Sequence, residues 1–144
     1  MRLLIVSNQK QRASDGSVQF GSANDFIARF SEAISFKPYS QICIVAYTME
    51  DANNSKLHYV NVPNLPVRSN MGNVVGGKST SIVGVVISDL ENNMPNQWVD
   101  LNNQSEFNLN ELQIQILNQE GILSSGLTGV TEIIFGIRKD PDRQ

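Results

Sequence analysis

The chain has 144 residues, which suits one domain able to bury about 70% of the surface that its unfolded form exposes. Its net charge of −3 excludes the broad basic field that draws nucleic acid, and no run approaches the roughly 18 apolar residues of a membrane span. Only 17% of residues are charged, against about 25% in an average domain, and Asn, Gln and Ser take their place. A surface so poor in charge has little defence against association, which favours a protein that lives in an assembly.

Residues 3–7 (LLIVS) predict a short first strand. Residues 8–23 (NQKQRASDGSVQFGSA) are polar and rich in Gly and Ser, and predict an arm that orders against a neighbour. From Asn24 the pattern alternates: Phe26, Ala28 and Phe30 share one face, Ile27 and Arg29 the other. The phase breaks at Glu32-Ala33 and resumes with Ile34 and Phe36. Lys37-Pro38-Tyr39 is a turn, because Pro38 fixes its own φ and biases Lys37 away from helix. QICIVAY, residues 41–47, then predicts a strand buried on both faces.

Residues 49–56 predict a polar loop, and Leu57 to Val62 (LHYVNV) an alternating strand ended by Pro63. Pro63 to Lys78 is too rich in Pro and Gly for one regular element, with Leu65, Val67 and Val74 as apolar anchors. Ser81 to Ser88 predicts a central strand, Asp89 to Asn96 a loop, and Gln97 to Leu101 a short strand with the one tryptophan, Trp98, in the core. Phe107 and Leu109 alternate, the phase slips at Asn110-Glu111, and Leu112 to Ile116 alternates again; such a slip marks a bulge or junction. A single turn near Leu109–Leu112 is the one place left for helix. Asn118 to Gly121 is a turn, Ile122 to Gly129 mostly loop, Val130 to Arg138 the last strand, and 139–144 a frayed tail. Eight or nine strands without βαβ alternation predict an all-β fold, an eight-stranded antiparallel jelly-roll β-sandwich in one domain, 1–144, closed over Phe26, Ile44, Val85, Ile114 and Phe135.

Motifs for chemistry are few. Gly72 to Ser79 matches the phosphate-loop pattern at every fixed position. That chemistry needs a strand before the loop and a helix after it, so that N–H groups converge on phosphate. Here the loop follows a Pro-broken segment and precedes the β-branched run Thr80–Ile87, so the match is taken as a decoy. His58 is the one histidine, too few for a zinc site; a Ser–His–Asp arrangement would have to use it, and no Gly-x-Ser-x-Gly elbow exists. A structural or surface role is assigned to it. The carboxylates Asp15, Asp25, Glu32, Glu50, Asp51, Asp89 and Glu91 fall mostly in loops; Glu50 to Asn53 and Asp89 to Asn92 have the oxygen ligands for calcium but nothing that selects it. Asn53-Asn54-Ser55 and Asn103-Gln104-Ser105 fit the N-glycosylation pattern, which without a secretory route marks only surface loops. The apolar run in MRLLIV is too short for a signal peptide, and Cys43, alone, excludes an internal disulfide and is taken as a buried thiol. No catalytic, cofactor or metal residue is assigned.

The order of segments carries a resemblance. Asn8 with Arg12, the alternating Phe26 to Phe36, the apolar Ile42 to Tyr47, the loop Asn61 to Gly72, Leu112 to Ile116 and Leu127-Thr128-Gly129 resemble the pattern of single-jelly-roll minor capsid or penton proteins of double-jelly-roll DNA viruses, the adenovirus, virophage and polinton lineage. The resemblance implies a non-enzymatic structural protein of the virion, a homopentamer at icosahedral vertices that contacts the major capsid protein. A carbohydrate-binding roll, or a trimeric one resembling the tumour-necrosis-factor fold, is the alternative. The polar, uncharged flanks suit either ring, since they avoid like-charge repulsion about a symmetry axis.

Overall fold

A computed structural model describes residues 1–10, 14–54, 56–71, 78–89 and 97–143. Its elements are β1 (Arg2–Ser7), β2 (Asp25–Phe36), β3 (Ser40–Asp51), β4 (Leu57–Asn61), β5 (Ser69–Met71), β6 (Lys78–Thr80), β7 (Ile82–Ile87), β8 (Val99–Asp100), β9 (Phe107–Leu117) and β10 (Leu127–Lys139). Eight of them make two four-stranded sheets, ordered β1-β10-β3-β8 and β2-β9-β4-β7, while β5 and β6 form a separate hairpin. Every pairing is antiparallel, and the fold is an all-β sandwich. The pairings nest: β1 takes β10, β2 takes β9, β3 takes β8 and β4 takes β7.

The apolar phase of each strand explains the closure. Leu4 and Val6 of β1, Ile133, Phe135 and Ile137 of β10, and Ile42 and Ile44 of β3 turn inward from one sheet. Phe26 and Phe36 of β2, Leu112, Ile114 and Ile116 of β9, and Val60 of β4 meet them from the other. Phe36 stacks on Phe107 with ring centroids 4.8 Å apart, joining the ends of β2 and β9.

Four irregularities interrupt the register among the described residues; one leaves Gly129 and Val130 of β10 between the pairs Thr128↔Glu50 and Thr131↔Met49, and the other three set the phase of the core. In β3, Ile44 pairs with Phe135 and Ala46 with Ile134, so Val45 is an extra residue. It bulges to the outside, and after it Tyr47, Met49 and Asp51 take the inward positions that Ile42 and Ile44 hold before it. The strand predicted to be buried on both faces is therefore open at Val45. In β2 the register jumps from Arg29↔Glu111 to Ile34↔Leu109; the slip expected at Asn110-Glu111 is absorbed by extra residues in β2, beside the break at Glu32-Ala33. β9 runs through 109–112 as strand rather than as a helical turn. In β7, Val60↔Gly84 is followed by Asn61↔Ile82, which leaves Val83 unpaired and lets both Val83 and Val86 reach the core. Val85, expected inside, is half-buried for that reason.

Strand ends also differ from expectation. β3 runs to Asp51 through what the sequence marks as loop, because Met49 and Asp51 follow the inward phase and pair with β10. β10 accordingly begins at Leu127 instead of Val130. Of the segment 97–101 only Val99 and Asp100 pair, while Leu101 is fully buried. Tyr39 adopts φ +58° in the turn after β2, fixed by its N–H donating to Asn103 O (2.8 Å) and its carbonyl accepting from Asp140 N (2.8 Å). Arg143 lies 4.9 Å above its ring; the tail expected at 139–144 starts as strand at Lys139 and returns to this turn by residue 143.

The arm is stitched at its base. Lys10 N donates to Gln19 O and Gly21 N to Asn8 O, both at 2.7 Å. Asn8 itself is buried: its amide donates to Gly21 O (3.0 Å) and Gly129 O (2.9 Å), and its Oδ1 accepts from Thr131 N (2.9 Å). Asn8→Ala strands three backbone groups and is expected to cost on the order of 2–3 kcal/mol in chemical denaturation; a loss under about 0.5 kcal/mol would show that the arm is not held there. Ile44→Asp puts an unpaired charge between the sheets and is expected to give no soluble, cooperatively folded protein, read by circular dichroism and thermal melting.

Candidate functional site

Alternation along β1 places Leu3 and Ile5 on the outer face of its sheet, 55% and 60% exposed. In the ladder Leu3 stands beside Gly136 and Ile5 beside Ile134. Gly136 is the low point of this face: a Cβ there would stand 2.8 Å from Met1 Sδ, 3.1 Å from Val45 Cγ2 and 3.2 Å from Trp98 Cη2. Met1, Val45 and Trp98 thus converge over one glycine, and the bulge at Val45 supplies an exposed member. Beyond them the strip ends in polar groups. The Arg138 guanidinium lies 4.1 Å above the Trp98 ring, and its Nε donates to Gln41 Oε1 (2.8 Å), whose Nε2 donates to Asp100 Oδ1 (2.8 Å). Trp98 is half-buried with one face taken by Arg138, neither the core residue expected nor an open stacking platform. β1 is an outer strand of its sheet, and from Leu3 to Val6 it carries no charge, proline or bulge to blunt that edge.

A second constellation lies inside. His58 alternates in phase with Val60 and is 1% exposed. Its Nδ1 stands 2.7 Å from Ser124 Oγ, its Nε2 3.2 Å from Ser88 Oγ and 3.5 Å from Asp51 Oδ2. Asp51 Oδ1 accepts from Asn53 N (2.8 Å), whereas the buried Oδ2 has no hydrogen-bond partner among the described residues. Ser88 Oγ accepts from Lys56 N (3.0 Å). Burial pushes the His58 imidazole below its ordinary pKa; the Asp51 carboxylate opposes the shift and Lys56 adds to it. A serine and an aspartate do meet His58 here, the arrangement weighed around it from sequence, but Ser124 is 1% exposed and its hydroxyl is committed to the ring. A nucleophile needs an open approach for the reacting carbon, which this buried hydroxyl lacks, so the cluster reads as a buried polar core with one orphaned oxygen, Asp51 Oδ2. The strand alternation in LHYVNV was the signal for a buried histidine.

The remaining sequence candidates scatter. Gly72 to Gly77 lie outside the described residues, and Lys78 and Ser79 belong to a strand followed by another strand, so they do not open a helix. Of the two loops with calcium-type oxygens, Glu91 and Asn92 lie outside the described residues; Asp89 Oδ1 accepts from Asp51 N (3.1 Å). No group of three or more His, Cys, Asp or Glu that could hold a metal occurs among the described residues. Asp25 accepts from Gln113 Nε2 (3.0 Å), and Asp15 is held below its ordinary pKa by the Ser17 hydroxyl. Val74, Arg12 and Ser55 lie outside the described residues, while Asn8 and Gly129, two steps of the family-like pattern, are hydrogen-bonded to each other. No helix among the described residues is long and apolar enough to cross a membrane. Comparison of the chain with family models, with curated proteins and with solved structures finds no match.

Cys43 is buried on β3, and burial raises its thiol pKa, with Arg138 opposing. A disulfide reagent is therefore expected to modify it at least about a hundredfold more slowly in the native protein than in the unfolded chain. A native rate within about tenfold of the unfolded chain's would place the thiol at the surface.

Proposed function

We propose that this chain is a non-enzymatic structural subunit of a virus shell, a jelly roll that stands as a homopentamer at an icosahedral vertex and contacts the major capsid protein. The observation that carries this reading is the exposed apolar strip of Met1, Leu3, Ile5 and Val45 across the outer face of the β1-β10-β3-β8 sheet. Contiguous apolar faces of this kind on a sandwich mark contact with other proteins. The nesting of first strand with last, second with seventh, third with sixth and fourth with fifth among the eight sheet strands supports a jelly-roll winding. A ring uses a heterologous contact, in which the strip of one subunit meets a different, polar flank of the next. The low charge of those flanks keeps identical neighbours from repelling one another, and the net charge of −3 favours protein over nucleic acid as partner.

Mass measurement in solution tests the reading. The wild-type chain, 15.9 kDa, is expected to sediment at five times that mass at micromolar concentration, with or without the shell protein present. Leu3→Lys combined with Ile5→Lys is expected to give a monomer with an unchanged β-sheet spectrum, because both side chains already face water. A trimer would transfer the reading to the tumour-necrosis-factor-like roll. A monomer that also fails to join a shell of major capsid protein would end the vertex reading.

A further inference from the structure

One end of the sandwich is closed by four elements that meet at a single imidazole. Asp51 arrives from the end of β3, His58 from β4, Ser88 from the residue after β7, and Ser124 from the loop between β9 and β10. That loop, Asn118 to Gly126, turns on itself through Asn118 N on Ile122 O (2.8 Å) and Gly121 N on Asn118 O (3.0 Å), and Ser124 fastens it to the sandwich: its Oγ on His58, its N on Ile116 O (2.8 Å), and its O accepting from Asn24 Nδ2 (2.8 Å). Gly126 O accepts from Ala52 N (2.8 Å), which ties the loop to the turn after Asp51. The loop leaves Ile122 and Leu123 partly exposed and borders an open pocket of about 410 Å³ lined by Lys56, His58, Glu120 and Ser124 among others.

The neighbours fix the ring's protons. Nε2 faces the Asp51 carboxylate and a Ser88 hydroxyl oxygen that already accepts the Lys56 N–H. Nε2 therefore carries the hydrogen, and Nδ1 accepts the Ser124 O–H. A second proton, arriving on Nδ1, reverses the Ser124 bond: the hydroxyl must accept, and its own hydrogen loses its acceptor. The ring would also carry a full charge while almost wholly withdrawn from solvent. Among the charged groups around it, Asp51 and Asp89 favour that charge and Lys56 opposes it, while Glu120 sits on the pocket rim. Desolvation is the largest of these influences.

We infer that Asp51, His58, Ser88 and Ser124 form a proton-operated latch, which holds the Asn118–Gly126 loop closed at neutral pH and releases it in acid. Since the folded imidazole takes a proton less readily than a free one, the closed state is fully favoured above the ordinary value near 6.5 and loses ground as pH falls below it. Opening solvates the ring, frees the Ser124 hydroxyl and releases the segment bearing Ile122 and Leu123. The latch acts within one chain and stands whether or not the vertex reading does.

Amide hydrogen exchange on the full chain, corrected for intrinsic rates, tests it at about pH 7.5 and about pH 5. Protection of the Asn118–Gly126 amides is expected to drop at least about tenfold at the lower pH, while the central amides of β10 keep theirs. His58→Gln, which retains a donor and an acceptor but cannot be protonated, is expected to hold loop protection equal at both values. Unchanged loop protection in the wild type, or a parallel fall across all core amides, overturns the latch. Because the chain has one histidine, ring proton resonances follow it without ambiguity even if that variant does not fold. A ring midpoint below the ordinary value, shared by the Ser124 amide, supports the latch; a midpoint at or above that value overturns it.

Discussion

The pairing of β3 with β10, with the extra residue that β3 takes at Val45, is the constraint from which the other features follow. Because side chains alternate strictly along a strand, a single inserted residue exchanges inside for outside for everything beyond it. Before the insertion Ile42 and Ile44 face the core; after it Tyr47, Met49 and Asp51 do. Without the bulge Asp51 would point into solvent and His58 would lose its carboxylate. The same insertion pushes Val45 outward to meet Met1 and Trp98 over Gly136. One register shift thus provides a member of the external apolar strip and a member of the internal polar cluster.

These two regions follow opposite physical rules. Outside, apolar groups are left in water, a cost that another protein's surface relieves by covering them. Inside, polar groups are withdrawn from water and hold only while their donors and acceptors match, which a single proton can upset. The strip lies on the outer face of the β1-β10-β3-β8 sheet, and the cluster lies where Asp51, Ser88 and the β9–β10 loop come together. A chain with few charges has little long-range field, so both depend on contact distances within a few ångströms.

Much of the sandwich was legible from the alternation of apolar residues. The strands around Phe26 and Ile114 fall where the pattern of two places them, those around Ile44 and Phe135 where the apolar runs do, and those four side chains are in the core. The phase break at Glu32-Ala33 was visible as well. Misplaced were those positions where a strand's fate rests on its partner: Val85 moved outward because Val83 bulges against β4, and residues 49–51 joined β3 because β10 extends back to receive them. Trp98, hydrophobic by type, sits half-buried because an arginine from β10 covers it. The two loops once considered for metal binding meet through an Asp89 carboxylate on a backbone amide, a contact that spans 38 residues of sequence.

The sequence by itself determined the class of fold, the inward phase around Phe26 and Ile114, and the absence of an internal disulfide. Those are local properties, carried by alternation and by composition, and they need no partner strand to be read. Only the tertiary structure decided which strand pairs with which, where the extra residues bulge, and that Asp51, His58, Ser88 and Ser124 converge. Pairing sums weak interactions over residues far apart in the chain, and a bulge exists only relative to a neighbour, so neither leaves a mark in any single stretch of sequence.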